Sequence, residues 1–162
     1  MHISMVSSSH VPISRYLTLC GHAFWTLLKA PMRAPYNTTS EVTRDMDKGT
    51  TYLSQTHYAK EFLRTYNFWN ATPRLTPMQP NKRLNKGDCD KTPAPDFHRR
   101  YHGIVGSLGH LVRMTRPGLA WAYCELSKYV QSPLKNHMLA AEHVLCYFRG
   151  TWSETIRYSR DS

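Results

Sequence analysis

Between Trp69 and Pro95 the chain carries Pro73, Pro77, Pro80, Pro93 and Pro95. No helix or central strand can cross such a stretch, because each proline lacks a backbone donor and clashes with the turn before it. Lys82, Arg83, Lys86, Asp88 and Asp90 keep the same stretch wet. It reads as a linker over residues 69–95, and a loop of that length inside a compact domain points to function or mobility. The ordered parts must therefore form on either side of it.

Upstream, Glu41-Val-Thr-Arg-Asp45 and Thr50-Thr-Tyr-Leu-Ser54 flank Met46-Asp-Lys-Gly49. β-branched and aromatic residues around a turn glycine predict a β-hairpin. Ser54 or Thr56 can cap a helix running to about Tyr66, with Tyr58, Phe62, Leu63 and Tyr66 on one face. Downstream, three amphipathic segments follow. Phe97, Tyr101, Ile104, Val105, Leu108, Leu111 and Val112 share the face of a first helix opened by Asp96. A second starts at Pro117 and carries Leu119, Ala120, Tyr123, Leu126 and Val130 inward. A third is capped at Ser132-Pro133, buries Met138, Ala141, Val144, Leu145 and Phe148, and stops at Gly150. Three such helices joined by short turns can bury one small core. Glu154–Tyr158 reads as an orphan final strand. The first 40 residues show neither helical nor strand period and are expected to be largely irregular, apart from a short helix near Phe24–Lys29. The expected class is α+β, mainly α, in five parts: 1–40, 41–68, 69–95, 96–151 and 152–162.

The formal net charge is +10, of which residues 1–40 supply +3 and the remainder +7. An excess spread over both parts, with arginine plentiful and aromatics interleaved, points to a polyanion such as nucleic acid. Hydrophobic residues make up 41%, enough for a modest core. Cys20, Cys89, Cys124 and Cys146 lie far apart without a Cys-x-x-Cys pair, which argues against a zinc ribbon and favours free thiols. The most apolar run, Tyr16–Leu28, is broken by Gly21 and His22 and falls short of the ~18–20 residues a membrane span needs. Met1–Ser14 holds no Lys or Arg, so it makes a poor signal peptide, and an intracellular setting is expected.

Candidate chemistry is sparse. The Asp-x-Asp pairs Asp45/Asp47 and Asp88/Asp90 fall in the turn and the linker, without the buried strand that would hold a two-metal site rigid. His98 and His102 share a helix face, and His137, His143 and Cys146 cluster in sequence, yet nothing completes a tetrahedral set. Gly103, Gly106 and Gly109 recur every three residues without a phosphate-loop lysine; their cost to a helix would be offset by close approach of another backbone. The expected catalytic and metal residues are therefore none. Arg99, Arg100, Arg113 and Arg116, with Tyr101, are the expected nucleic-acid-binding residues, since guanidinium donors suit phosphate contacts that position without reading bases.

From Glu41 onward the order of phrases resembles the copia-type retrotransposon Pol polyprotein. Glu41-Val-Thr-Arg-Asp45, Gly49 and Tyr52-Leu-Ser-Gln-Thr-His-Tyr-Ala-Lys60 are similar to that family's last palm hairpin and the helix after it. Thr76-Pro-Met78 with Leu84, Tyr101-x-x-Ile-Val-Gly-Ser-Leu108, Leu111, Thr115-Arg-Pro117 and Leu126-Ser127 continue in family order. So do Pro133, His137, Ala140-Ala141, Val144-Leu145, Tyr147, Arg149-Gly-Thr151 and Ile156-Arg-Tyr158. The resemblance covers about residues 41–162 and implies the thumb and connection between reverse transcriptase and RNase H. It implies an RNA–DNA hybrid as partner, beside the palm and RNase H parts of the polyprotein, and no membrane. The family's Tyr-x-Asp-Asp turn would precede the hairpin, but residues 1–40 hold no Asp or Glu. The RNase H carboxylates would follow Tyr158. Gly118 stands where an aspartate is usual. A chain of this kind is expected to be inactive alone and to bind no cofactor, magnesium belonging to the intact polymerase. A small helical interaction protein or a non-functional transposon relic is the alternative.

Overall fold

The computed structural model describes residues 2–5, 40–80, 84–85 and 94–159. In chain order the elements are β1 (His2–Met5), β2 (Glu41–Asp45), β3 (Thr50–Ser54), α1 (Thr56–Thr65), α2 (Pro95–Met114), α3 (Ala120–Ser127), α4 (Lys135–Thr151) and β4 (Ile156–Ser159). A short 3-10 turn, Pro117–Leu119, leads into α3. The result is a mainly helical α+β fold with one small antiparallel sheet.

The hairpin forms where the sequence places it. Glu41 pairs with Ser54 and Asp45 with Thr50. Gly49 closes the turn at φ 57°, a left-handed value that glycine adopts without a Cβ clash. The Asp45 carboxylate accepts the Lys48 backbone N–H at 3.1 Å and pairs with Lys48 Nζ at 3.6 Å. Three charges among the five residues of β2 guard the open edge of the sheet against stray pairing.

One expectation changes here. The final strand is not an orphan: β4 lies inside the sheet, between β3 and β1, in the order β1-β4-β3-β2. Tyr52 pairs with Arg157 and Leu53 with Ile156, and on the other side Met5 pairs with Ile156. Backbone donors and acceptors on both edges of β4 are thus satisfied, which a lone strand leaves open. Within the first 40 residues, expected to be largely irregular, residues 2–5 form a strand; the short helix near Phe24–Lys29 lies outside the described residues.

Neither Ser54 nor Thr56 caps α1 through its side chain. Both hydroxyls instead donate to Glu41 Oε2, each at 3.0 Å, and so bring a carboxylate to the helix N-terminus, where the macrodipole favours it. The far end is a Schellman turn. Asn67 sits at φ 64°, its N–H bonds Arg64 O, and Phe68 N–H reaches back to Leu63 O at 2.7 Å. The third helix of the C-terminal set also begins later than Ser132-Pro133 suggests, at Lys135. Leu134 flanks it, and the His137 ring accepts the Leu134 N–H at 2.9 Å, satisfying a helix-end donor that a serine cap would otherwise have met.

All four described helices share one cluster. Tyr58, Phe62 and Leu63 of α1 join Ile104, Val105, Leu108 and Leu111 of α2, Leu126 of α3, and Val144, Leu145 and Phe148 of α4. Buried tyrosines fasten the fold, each hydroxyl bonded to a carbonyl distant in the chain. Tyr58 reaches Ser107 O at 3.2 Å, Tyr101 reaches Leu126 O at 2.8 Å and Tyr129 reaches Leu84 O at 2.6 Å. Gly103 and Gly109 of α2 serve this packing. An added Cβ at Gly109 would stand 2.7 Å from the Tyr123 ring, and one at Gly103 would run into the Tyr66 hydroxyl. The close approach is made by tyrosine side chains, not by another backbone.

Apart from Pro95, the first residue of α2, the proline-rich stretch is non-helical as far as it is described, but it is also fastened. Arg74 N–H bonds Cys146 O at 3.3 Å, the His143 ring meets Thr76 O at 3.0 Å, and the His137 ring meets Asn85 O at 2.9 Å. Met78 is buried in the common cluster. Residues 69–80 and 84–85 therefore lie as a strap along α4.

Candidate nucleic-acid interface

The five expected binding residues divide by burial. Arg99 and Arg100 lie exposed in the second turn of α2. Arg99 pairs with Asp96 at 3.2 Å in full solvent, a contact worth little and easily exchanged for a phosphate. Arg100 donates to Tyr66 O at 3.3 Å and lies 5.7 Å from the centre of the Tyr66 ring. Arg113 is exposed near the other end of α2, its Nε bonded to Gly109 O at 3.2 Å.

Arg116 and Tyr101 are not on the surface. Arg116 is 4% exposed, and its guanidinium bonds Glu154 at 2.6 Å, donates to Thr151 O and sits 5.5 Å from the centre of the Phe148 ring. Burial lowers its pKa, and the Glu154 carboxylate opposes that shift. Tyr101 is fully buried, and burial pushes its phenol far above the usual range. Their donors already have internal acceptors, so these two hold the fold together. Arginine in a helical stretch reads alike in sequence whether it points to solvent or to a carboxylate 38 residues away.

The structure also assembles a group that the linear pattern does not reveal. Lys60 and Arg64 stand one turn apart on the outer face of α1, Trp69 begins the strap, and Arg149 and Trp152 end α4. Arg64 lies 5.3 Å and Arg149 4.8 Å from the centre of the Trp69 ring. Lys60 lies 4.9 Å from the centre of the Trp152 ring, and the two indoles meet edge to face at 5.5 Å. Arg149 Nε also donates to Trp69 O. The i, i+4 spacing of Lys60 and Arg64 was visible in sequence. Their meeting with Trp69, Trp152 and Arg149 depends on how α4 packs.

Nothing described here fits a divalent metal. Asp45 is spent on its turn, Glu41 on Ser54 and Thr56, and Glu154 on Arg116. Among the described residues no group of three or more His, Cys, Asp or Glu side chains converges. Asp88 and Asp90 lie outside those residues. His98 and His102 stack at 6.4 Å without a further ligand type beside them. Cys146 is a free thiol whose pKa burial raises, and Cys20 and Cys89 lie outside the described residues. Among the described residues no helix is long and apolar enough to cross a membrane.

Comparison with known proteins agrees on one relationship. The chain is 39% identical over 100 residues to the retrovirus-related Pol polyprotein from transposon RE2 of Arabidopsis thaliana, covering 62% of this chain and 7% of that protein. The corresponding polyprotein from transposon RE1 of the same plant is 36% identical over 100 residues, 62% of this chain and 6% of the relative. That from transposon TNT 1-94 of Nicotiana tabacum is 30% identical over 119 residues, 72% of this chain and 9% of the relative. The chain thus spans less than a tenth of the length of these relatives. No protein-family profile matches it, and no solved structure does. By sequence, over most of its length, this chain belongs with one segment of the retrovirus-related Pol polyproteins of copia-type transposons.

Proposed function

We propose that this chain is the part of a transposon Pol polyprotein that links reverse transcriptase to RNase H and holds an RNA–DNA hybrid by its backbone. The observation that carries the reading is the exposed pair Arg99 and Arg100 on the outer side of α2, a helix whose inner side is wholly committed to the core. Arg113 extends the same helix's cationic exposure toward its other end. An A-like hybrid is gripped by shape and by phosphate contacts, and exposed guanidiniums on a rigid helix suit that role. The partners would be the hybrid and neighbouring parts of a polyprotein, in the cytoplasm or nucleus. The Asp45 carboxylate is engaged in its turn, and among the described residues no group of three or more His, Cys, Asp or Glu side chains converges; polymerisation and RNA cleavage are not assigned to this chain alone.

The test is fluorescence anisotropy of a labelled mixed-sequence RNA–DNA hybrid titrated with the full chain. Binding should fall steeply with salt, with a log–log slope close to the number of phosphates neutralised. Arg99→Ala with Arg100→Ala should weaken binding for every sequence alike and flatten that slope by about two. A well-folded chain that ignores nucleic acid at low salt would favour the small interaction protein instead.

A further inference from the structure

We infer that Lys60, Arg64 and Arg149, set around the Trp69–Trp152 pair, form a second phosphate-contacting patch, made of residues other than the α2 arginines and directed at a nucleic-acid backbone.

The argument rests on how the cations are held. A free arginine or lysine loses rotamer entropy when it engages a phosphate. Here the indole faces have already gathered them. Trp69 faces both Arg64 and Arg149, and Trp152 faces Lys60. Cation–π contacts fix the position of a cation while leaving its N–H donors pointing outward. The Arg64 side chain remains 58% exposed, and its ion pair with Glu61 is a solvated one at 3.7 Å that a phosphate can replace. The rings themselves offer no free platform for bases, being engaged by these cations and by each other. Contact is therefore to the backbone, without sequence preference.

The patch is also built on fixed ground. Lys60 and Arg64 lie on a helix whose opposite side is in the core, and Arg149 is anchored by its bond to Trp69 O. Three separate stretches of chain contribute, so the patch exists only when the strap is laid against α4. The inference rests on the nucleic-acid reading above but concerns different residues, so the two can fail separately.

The experiment uses the full chain and the same labelled hybrid, comparing Lys60→Gln/Arg64→Gln with Arg99→Ala/Arg100→Ala and with all four changes. Both altered residues of the first variant point away from the core, and circular dichroism with thermal melting checks that each protein folds. The expected result is about tenfold weaker binding for Lys60→Gln/Arg64→Gln, a salt slope lower by about two, and losses that add in the fourfold variant. Trp152→Leu should give a smaller loss by releasing Lys60. If Lys60→Gln/Arg64→Gln binds like the parent while Arg99→Ala/Arg100→Ala does not, the patch is overturned and the proposed function stands. If the parent chain binds no hybrid, both fall together.

Discussion

At the level of single residues, space and protonation decide more than residue type does. Gly118 and Gly109 are chemically the same, yet their substitutions should have opposite signs. Nothing lies within 4 Å of a Cβ built on Gly118, the middle residue of the short turn before α3. Gly118→Asp should therefore raise stability by roughly 0.5–1 kcal/mol, by restricting the unfolded chain and placing a carboxylate at a helix start. At Gly109 the buried Tyr123 ring stands in the way, and Gly109→Ala should lose about 1 kcal/mol net, overpacking outweighing the gain in helix propensity. Urea midpoints for the two variants check both signs. His137 makes a pH prediction. It is fully buried and stacked on Tyr129 at 3.8 Å; its Nδ1 accepts from Leu134, so the proton sits on Nε2, facing Asn85 O. Burial lowers its pKa, only partly opposed by the bond to Asn85. The unfolded chain then takes up the proton first. Its contribution is complete above the ordinary histidine pKa of about 6.5 and declines as pH falls through the lowered folded value. Urea midpoints against pH should drop across that range for the parent and drop less for His137→Gln.

Among the elements, the informative ones lie close to their neighbours in space and far from them in sequence. The hairpin, the end of α1 near Tyr66 and the inner face of α2 were legible beforehand, since each depends on a local signal: Gly49 in a turn, and apolar faces of helical period. The fate of β4 was not legible, because four residues of strand carry no record of their partner. Removing residues 156–162 should leave β2 and β3 as a two-stranded ribbon, marginal by itself. The amides of Tyr52 and Leu53 should then lose hydrogen-exchange protection while α2 keeps it. Arg116 was legible as a cation and misread as a surface one. Arg116→Ala would strand Glu154 and should cost about 3 kcal/mol, at the low end for a broken buried pair because Glu154 is one-third exposed. Thermal melting of Arg116→Ala against the Arg116→Ala/Glu154→Gln double variant separates that coupling from lost packing.

Across the whole molecule, the proline-rich stretch does not divide the packing. Tyr58 and Phe62 from before it and Phe148 from after it belong to one cluster, with Phe62 and Phe148 rings 5.9 Å apart. Far-UV circular dichroism and tryptophan fluorescence should therefore melt together, as one cooperative transition. Leu145→Ala should lower stability by roughly 2–5 kcal/mol by both probes, through lost transfer energy and the cavity left behind. Two separated transitions would show that residues 41–68 and 96–151 fold apart. What the sequence alone determined is the mainly helical α+β class, the hairpin, the basic excess and the kinship with transposon Pol polyproteins, because composition, period and turn chemistry are properties of short stretches. Only the tertiary structure decided that Arg116 and Tyr101 are buried, that β4 completes a sheet, and that Lys60, Arg64 and Arg149 gather on two tryptophans. Each of those depends on which distant surfaces exclude water from one another, and no local pattern in the chain specifies that.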